Sequence, residues 1–491
     1  MPKKPNILLI FPDQHRADTM GCVGNPAAQT PNLDTLASQG VRFGRCISNS
    51  PLCMPARVSL IAGQYVSEHG VWNNNSNGDQ KGQSHVRNIR DAGYHTAVVG
   101  KTHLYTHGRI NTADHKDILQ DWGYTDIHEL TGPLASGRMN SPWTEFLEEK
   151  GLLTTWRDYL RGHREMMKTG KPWNEAPCAL PSEYQLDAYT GWQAAKWIRE
   201  YRDDKPFYYQ VCFPGPHDPY DSPAEYRARF KLEDMPLGVT QPPRDPLSPL
   251  VALFRNLYQQ RFNIDSWTIE QRRLMKLAYY AKVNLIDHYI GEIMQALKER
   301  GFLDNTWIIY TSDHGDFLAE RCMIQKMMFF EEALAIPCII RPPGGVKEWV
   351  SEAMCDQLDI TATLMHISGA RPLKRTDGRT MLPIVQAGRD AKDAHRGKET
   401  LFSEVMGFSM IRDARYKMSV NAADLTPVDL YDMTGDPKEL DNLVNDPALG
   451  KVRHDLLEQL RVKLVSLRDE EKFKVYQDQT QREARVPSNW P

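Results

Sequence analysis

The chain has 491 residues, and its 60 Lys and Arg against 63 Asp and Glu give a formal net charge of −3. Hydrophobic residues make up 41% and charged residues 25%, which is ordinary globular usage and excludes a disordered or collagen-like chain. The near-neutral charge balance predicts no nucleic-acid partner. The length is enough for about two domains.

The sequence also bears on membranes and cellular compartment. The longest early apolar run, residues 7–11, ends at Pro12 and Asp13 and is far shorter than the roughly 20 residues of a membrane span. The first residues lack the apolar stretch and cleavage site of a secretory signal. The eight cysteines contain no CxxC pair. Scattered cysteines without a signal are typical of a reducing compartment, so we expect no membrane association and a cytoplasmic location.

Short apolar segments rich in β-branched and aromatic residues predict buried strands, and longer segments with helical spacing predict helices. The predicted strands are 6–11, 96–99, 207–213, 307–311 and 338–340. The predicted helices are 31–40, 186–202 and 272–300. Strands that alternate with helices favour an α/β fold with a mostly parallel central sheet flanked by helices.

The later chain changes in character. The proline-rich segment 215–270 predicts an insertion that crosses the surface. Short antiparallel strands are predicted within 409–420 and 427–431, and a closing helix at 456–467. We therefore predict a large α/β domain over residues 1–385 and a smaller C-terminal α+β domain with its tail over residues 386–491.

Polar residues follow four of the predicted strands. They are Asp13 and Gln14, then Lys101 and His103, then His217, and finally Asp313 and His314. The carboxyl ends of parallel strands share one edge of a sheet, and ligands bind there. Although an isolated Asp after a strand is usually a turn former, four strands that deliver such residues together predict one common site.

This set of side chains indicates a metal site. Asp13, Gln14, Asp313 and His314 offer mostly oxygen ligands, which favour Ca²⁺, Mg²⁺ or Mn²⁺ over zinc. The sequence predicts one divalent cation, with Ca²⁺ preferred. The alternative is that the Asp313-His314-Gly315 segment is only a tight turn.

Cys53 lies in a second segment of interest. Pro55 is typical of a first helical turn, so Cys53 would lie at the positive N-terminal end of a helix, beside Arg57. Such a position activates a thiol and suits an anion. The alternative is a buried structural cysteine.

The Cys-x-Pro-x-Arg pattern of Cys53, Pro55 and Arg57 resembles the signature of the sulfatases, a branch of the alkaline phosphatase superfamily. Further segments resemble other parts of that family in the expected order, namely 5–14, 30–37, 100–103, 216–220, 311–315 and 430–443. Several motifs in order are far more specific than any one of them.

The resemblance implies an alkaline phosphatase-like fold and a sulfuric ester hydrolase. It implies that Cys53 is converted to formylglycine by a formylglycine-generating enzyme. One hydroxyl of the hydrated aldehyde would attack the sulfur of a small-molecule sulfate ester, forming a covalent sulfo-enzyme. The second hydroxyl would then allow sulfate to leave and the aldehyde to reform, which an ordinary Ser or Cys cannot do.

The resemblance also implies individual roles. The metal would be held by Asp13, Gln14, Asp313, His314 and the residue at 53, although Gln14 departs from the commoner Asp-Asp pair. Arg57 would hold the aldehyde hydrate, Lys101 and Lys326 would bind sulfate oxygens, His217 would protonate the leaving alcohol, and His103 would assist deprotonation of the hydrate. Asn74 is a further substrate donor. The alternatives are a helix cap for Lys326 and a turn for Asn74.

Two activities and one non-enzymatic function compete. Phosphonate monoester hydrolases resemble this chain in their metal residues but carry Tyr and Thr where this chain has Lys101 and His103. The added positive charge favours sulfate monoesters, so phosphonate monoester or phosphodiester hydrolysis comes second. An unmodified Cys53 would leave only an anion-binding protein.

Aromatic residues raise two further expectations. Trp72, Tyr105, Trp143 and Trp173 are candidates to line a leaving-group pocket, with core packing as the alternative. Trp490, near the end of the polar tail, could dock on a neighbouring subunit, which would make the protein a homo-oligomer.

Overall fold

The computed structural model describes residues 4–483 apart from 77, 80, 107–110 and 172–174. The strands are β1 (Asn6–Ile10), β2 (Val41–Ile47), β3 (His95–Gly100), β4 (Asp126–Glu129), β5 (Phe207–Cys212), β6 (Thr306–Thr311), β7 (Cys338–Arg341), β8 (Trp349–Asp356), β9 (Leu401–Val405), β10 (Phe408–Arg412), β11 (Tyr416–Asn421) and β12 (Pro427–Asp432).

The α-helices are α1 (Pro31–Ser38), α2 (Cys53–Ala62), α3 (Val66–His69), α4 (His85–Asp91), α5 (Lys116–Trp122), α6 (Pro142–Glu149), α7 (Leu153–Lys168), α8 (Leu186–Glu200), α9 (Ala224–Arg227), α10 (Pro249–Phe262), α11 (Ile269–Glu299), α12 (Glu331–Leu334), α13 (Gln357–Ser368), α14 (Leu382–Ala387), α15 (Gly450–Leu467) and α16 (Glu470–Glu483). Among the residues that the structure describes, none of these helices combines the length and the apolar character that a membrane crossing needs.

Eight strands form the central sheet, in the order β4-β3-β5-β1-β6-β7-β2-β8. Neighbouring strands in this sheet run parallel except at β7, which is antiparallel to both β6 and β2. The other seven strands therefore end at one edge. This arrangement confirms the predicted mostly parallel α/β sheet.

The strand β1 at the middle of the sheet is buried on both faces, as is typical of a central parallel strand. Leu8 and Ile10 belong to the apolar cluster that includes residues of α1, α8 and α11. Ile7 and Leu9 belong to the cluster that includes residues of α2, α4 and α13. Helices therefore cover both faces, and polar side chains can meet water only at the sheet's edges and ends.

Four strands were absent from the sequence expectation, namely β2, β4 and β8 of the central sheet and β9 of the second sheet. In β2, the side chains of Arg42 and Arg45 and the glycine Gly44 interrupt the apolar run, so the pattern does not read as a buried strand. The omission matters because β2 leads directly into α2, whose first residue is Cys53. Cys53 is therefore also delivered from a strand end.

The prediction that segment 215–270 crosses the surface holds for residues 231–247, which are almost all exposed or half-buried, but it is wrong for the parts on either side. This segment contains α9 and α10, and many of its apolar side chains, such as Tyr226, Phe254 and Tyr258, are buried in one cluster with residues of α11. Its prolines misled the sequence interpretation, since Pro249 is the first residue of α10, where proline is well tolerated.

A second sheet lies near the C-terminus, with antiparallel strands in the order β12-β11-β10-β9. Leu456, Leu460 and Leu464 of α15 share an apolar cluster with its strands. The small α+β unit is thus present, while its boundary at residues 385 and 386 stays a prediction. Trp490 lies outside the described residues.

The last helix, α16, was not predicted. Its residues Phe473 and Tyr476 pack against the ring of Trp72, at centroid distances of 5.1 and 5.3 Å. The C-terminal helix is therefore held against the segment that follows α3.

Gly100, the last residue of β3, orients the chain just before Lys101. Its φ is +100°, and a Cβ at this position would lie 1.9 Å from the carbonyl oxygen of Cys212. Gly93 has a similar φ of +96° but open space around it. A side chain at position 93 would therefore add backbone strain alone, whereas a side chain at position 100 would add both strain and a steric clash.

We expect Gly100→Ala to lower the free energy of unfolding by about 3 kcal/mol or more, because β3 must move away from β5. The matched variant Gly93→Ala adds backbone strain alone and should cost about 1–2 kcal/mol. Denaturant unfolding midpoints measure both values. Equal losses in the two variants would contradict the steric argument.

Candidate active site

Five strand ends deliver the predicted residues to one edge of the central sheet. Asp13 and Gln14 follow β1, Cys53 and Arg57 follow β2, Lys101 and His103 follow β3, His217 follows β5, and Asp313 and His314 follow β6. Lys326 comes from the loop before α12. The structure brings these ten residues into one hydrogen-bonded cluster, so the predicted common site is present.

Cys53 occupies the first position of α2 and is 1% exposed, which confirms its predicted place at a helix N-terminus. Its Sγ lies 3.2 Å from Nε2 of His314 and 3.8 Å from Oδ1 of Asp13. His103 forms a hydrogen bond with the Cys53 side chain. Cys53 is therefore at the centre of the cluster.

Charges around Cys53 favour an anion there. Burial raises the pKa of the Cys53 thiol, but the ammonium groups of Lys326 and Lys101 outweigh burial and hold that pKa well below its ordinary value. Burial lowers the pKa of His103. A neutral His103 beside residue 53 can accept a proton from it.

Four buried side chains form a candidate metal centre. Asp13, Cys53, Asp313 and His314 each offer one ligand atom, and these atoms lie within 4.8 Å of one another. Nδ1 of His314 lies 2.9 Å from the carbonyl oxygen of Gly315. Because a carbonyl only accepts, Nδ1 carries the proton and Nε2 keeps its lone pair towards the cluster. This donor set fits a divalent cation.

Arg57 joins the two carboxylates of this centre. Its Nε lies 2.8 Å from Oδ2 of Asp313, and its Nη2 lies 3.0 Å from Oδ2 of Asp13. The guanidinium also lies over the ring of Phe11, 5.0 Å from its centroid. Arg57 thus donates hydrogen bonds to both carboxylates. Its expected contact with the aldehyde hydrate at residue 53 stays a prediction.

Asp13 remains ionised despite complete burial. Burial and the neighbouring Cys53 raise its pKa, but the charges of Lys101 and Arg57 outweigh both and hold the pKa well below its ordinary value. Nζ of Lys101 lies 2.5 Å from Oδ2 of Asp13. The carboxylate is therefore available to a cation at neutral pH.

Gln14 lies in the same cluster with a positive φ of 70°. Its backbone N–H donates to Oδ1 of Asp313 over 2.8 Å. Its side-chain oxygen accepts from Nζ of Lys326, and its side-chain N–H₂ donates to the carboxylate of Asp316. Its metal role stays a prediction. Asp316 was missed, although it follows Asp313 by only three positions.

His217 and Lys326 lie together on the side of the site that is least buried. Nε2 of His217 is 2.9 Å from Nζ of Lys326, and Nδ1 is 2.9 Å from Oδ1 of Asp218. Burial lowers the pKa of His217, but the charge of Asp218 outweighs it and raises the pKa to about 9. Two cationic groups so close together suit an anion. Asp218 was also missed, although it adjoins His217.

A buried ion cluster holds the loop that carries His217. Nζ of Lys282 on α11 lies 3.0 Å from Oδ2 of Asp187 on α8, and it also pairs with Asp221. Oδ1 of Asp187 accepts from the N–H of Gly215 over 2.7 Å, and the carbonyl of Gly215 accepts from the backbone N–H of Asp13 over 3.0 Å. These contacts join residues far apart in the chain, so no sequence spacing indicates them.

The remaining candidates have structural contacts. Oδ1 of Asn74 accepts from the backbone N–H of Met54 over 3.0 Å, which supports the first turn of α2; its substrate role stays a prediction. Trp143 packs at 5.2 Å against Trp156 in a buried cluster. Trp72 packs against α16 and Tyr105 is buried. All three have packing contacts, and their role in a leaving-group pocket stays a prediction. Trp173 lies outside the described residues.

The chain is similar to known proteins over most of its length. Residues 5–370 match the family model described as Sulfatase, and residues 319–466 match that described as N-sulphoglucosamine sulphohydrolase, C-terminal. An arylsulfatase of Clostridium perfringens is 26% identical over 496 residues, covering 95% of each chain. A choline-sulfatase of Rhizobium meliloti is 29% identical, covering 90% of this chain and 83% of that protein.

A solved structure gives the same picture of the fold. The phosphonate monoester hydrolase of Agrobacterium radiobacter superposes with a TM-score of 0.75 at 26% identity. The match covers 94% of this chain and 96% of that chain. The likeness therefore extends over both sheets.

We expect Ca²⁺ or Mn²⁺, added to chelator-treated protein, to raise the melting temperature. A ligand at 100 times its dissociation constant stabilises the folded state by about 2.7 kcal/mol. Asp13→Asn should abolish the rise, since it removes one carboxylate from the four-residue centre. The control Asp91→Asn alters an exposed acid paired with Arg90 and should keep the rise. A cation-dependent rise that persists in Asp13→Asn would refute the site.

Proposed function

Because this chain belongs to the sulfatase family and is a sulfuric ester hydrolase, we propose that it hydrolyses sulfate monoesters through a nucleophile derived from Cys53. The observation that carries this proposal is the position of Cys53. It begins α2, 3.2 Å from His314 and 3.8 Å from Asp13, where Lys101 and Lys326 supply positive charge.

The nucleophile is formylglycine, produced from Cys53 by a formylglycine-generating enzyme and hydrated to a geminal diol. One diol oxygen attacks the sulfur atom, and the bond between sulfur and the ester oxygen breaks. His217 gives its proton to that ester oxygen, so the alcohol leaves and sulfate stays on residue 53. The proximity of His103 to Cys53 supports it as the base that takes the diol proton.

The second diol hydroxyl completes the cycle. His103 first releases the proton it took from the diol to water, and it then accepts the proton of the second hydroxyl. The electrons of that O–H bond form the aldehyde C=O bond, and the carbon–oxygen bond to the sulfate breaks. Inorganic sulfate leaves, and water hydrates the aldehyde again. The mechanism needs two hydroxyls on one carbon, which is the chemical reason for modifying the cysteine.

The cationic side chains bind the transferred group. Lys326 and His217, 2.9 Å apart, can both donate to sulfate oxygens, and Lys101 lies on the Asp13 side of the cluster. These donors stabilise the charge that builds up on the sulfate group as the ester bond breaks. They hold the sulfur in line with the nucleophile.

Asp13, Gln14, Asp313, His314 and residue 53 would hold the metal ion, with Ca²⁺ preferred over Mn²⁺ or Mg²⁺ for oxygen-rich donors. A bound divalent cation supplies Lewis-acid polarisation and favours the ionised form of the nucleophile. The two carboxylates and the imidazole orient it, and Arg57 fixes the carboxylates.

The cellular compartment of the enzyme and its small-molecule substrate are also part of this proposal. All eight cysteines lie among the described residues, and none of them is paired in a disulfide, which supports a reducing compartment such as the cytoplasm. The substrate is a small sulfate ester. Assembly into a homo-oligomer stays a prediction, because the tail that suggested it lies outside the described residues.

A second candidate function is phosphonate monoester hydrolysis. Its support is the likeness to the phosphonate monoester hydrolase, which extends over 94% of this chain. Lys101, placed 2.5 Å from Asp13, favours the sulfate ester because it adds a cation beside the transferred group.

A substrate panel decides between the two activities. We expect a higher kcat/KM for 4-nitrophenyl sulfate than for a phenyl phosphonate monoester, and Cys53→Ala should remove both activities. A clear preference for the phosphonate would reverse the order.

Peptide mass analysis tests the nucleophile. We expect the peptide that contains residue 53 to be about 18 Da lighter than its thiol form, because an aldehyde replaces the thiol. Cys53→Ala should lower kcat/KM by at least about 10³-fold. Cys178→Ala, which alters a partly buried thiol outside the cluster, should keep the activity. An active enzyme that carries only the thiol would refute the mechanism.

The pH profile tests the acid. His217 donates only while protonated, so activity should fall as pH rises through its pKa of about 9. Asp218→Asn removes the anion that raises this pKa, while burial and Lys326 still lower it. The alkaline limb of kcat/KM should therefore move down by about 2 pH units or more. An unmoved limb in Asp218→Asn, with Asp91→Asn as control, would exclude His217 as the acid.

A further inference from the structure

A separate cavity of about 540 Å³ lies between the chain that follows Arg16, strand β2 and helix α11. None of the eleven predicted site residues lines it. Its size falls within the range of protein cavities that bind small organic molecules. The cavity is therefore large enough for a ligand of its own, separate from the cluster around Cys53.

The acids of this cavity are already neutralised. Nη2 of Arg16 lies 2.6 Å from Asp18, and its Nη1 lies 3.0 Å from Glu320. Nζ of Lys276 lies 2.7 Å from Glu320 as well. Two cations thus pair with two carboxylates, so these four groups together contribute no net charge to the cavity.

Arg42 adds a further cation to the lining. Its Nε is buried and has no hydrogen-bond partner within the part of the chain that the structure describes. A buried donor without a partner costs free energy, and an arginine side chain is always charged in proteins. The lining residues therefore carry one positive charge in excess, on a guanidinium that has an unsatisfied N–H.

The rest of the wall is largely apolar. Met20, Phe43, Leu318 and Tyr280 contribute to it, and all four are nearly inaccessible to solvent. A single inorganic anion paired with Arg42 would leave the apolar part of this wall without contacts, whereas ligand sites of this size are usually filled by a mostly apolar molecule. The geometry points to an organic anion whose apolar body fills the cavity and whose carboxylate or sulfonate pairs with Arg42.

This second site does not depend on the proposed function. Arg16 lies between the two regions, because its Nη1 also donates to the carbonyl oxygen of Asp316 over 2.9 Å. Cys53 is not part of the cavity. Loss of activity at residue 53 should therefore leave anion binding intact, so a failure of either proposal can be told from a failure of the other.

The probe for this site is 8-anilinonaphthalene-1-sulfonate, whose fluorescence rises when it enters an apolar cavity. We expect saturable binding to the full-length protein and to Cys53→Ala. Arg42→Gln should weaken binding by about tenfold or more, the loss expected for one charge-assisted hydrogen bond. The matched variant Arg45→Gln changes a neighbour on β2 that is exposed and paired with Glu352, and it should bind like the parent.

A filling variant tests the cavity itself. Val23→Trp places a large ring in the lining and should abolish probe binding without changing Arg42. Thermal unfolding checks that each variant is folded, and if Val23→Trp is not, Arg42→Gln alone decides. Absence of binding to the parent, binding within about twofold of the parent in Arg42→Gln, or loss of binding in Cys53→Ala would each overturn the proposal.

Discussion

The contact between Arg57 and the two carboxylates of Asp13 and Asp313 is the interaction on which the rest of the site depends. Both carboxylates are 0% exposed, and two buried anions at one place repel each other unless a cation pairs with them. A buried ion pair that loses one partner costs about 3–5 kcal/mol. Because Arg57 is on α2 and the acids follow β1 and β6, this one guanidinium also ties the Cys53 helix to the centre of the sheet.

The parallel orientation of the strands makes that contact possible. Seven of the eight strands end at one edge, so short segments after the strands are enough to bring catalytic groups together. The antiparallel strand β7 separates β6 from β2, and the loop after β2 then reaches back to the centre with Cys53. Buried ion pairs such as that of Lys282 with Asp187 hold the loops between, where backbone hydrogen bonding is incomplete.

Charge is distributed unevenly over this edge. The carboxylates lie deep, against the strands, while Lys326 and His217 lie nearer to solvent. An incoming anion therefore meets cations before it meets the acids that would repel it. In the same arrangement, burial and the charges of Lys326 and Lys101 lower the pKa of His217, whereas Asp218, with a smaller contribution from Asp13, raises it.

The amino-acid sequence by itself determined the fold class, the candidate residues and their common edge. Apolar strands, helical spacing and the polar residues after each strand are local features that can be recognised in the sequence alone. Roles were harder to predict. Asp218 and Asp316 look like ordinary turn residues in the sequence, and β2 was missed because its arginines and glycine hide its pattern.

Only the tertiary structure decided which of these side chains touch. It paired Arg57 with the carboxylates and turned Gln14 towards Lys326 and Asp316. It also packed Trp72 against α16 and Trp143 against Trp156. It showed in addition that α9 and α10, within segment 215–270, contribute apolar side chains to the core. The physical reason is that hydrogen bonds and ion pairs act over about 3 Å between residues that are hundreds of positions apart, and no local pattern records such distances.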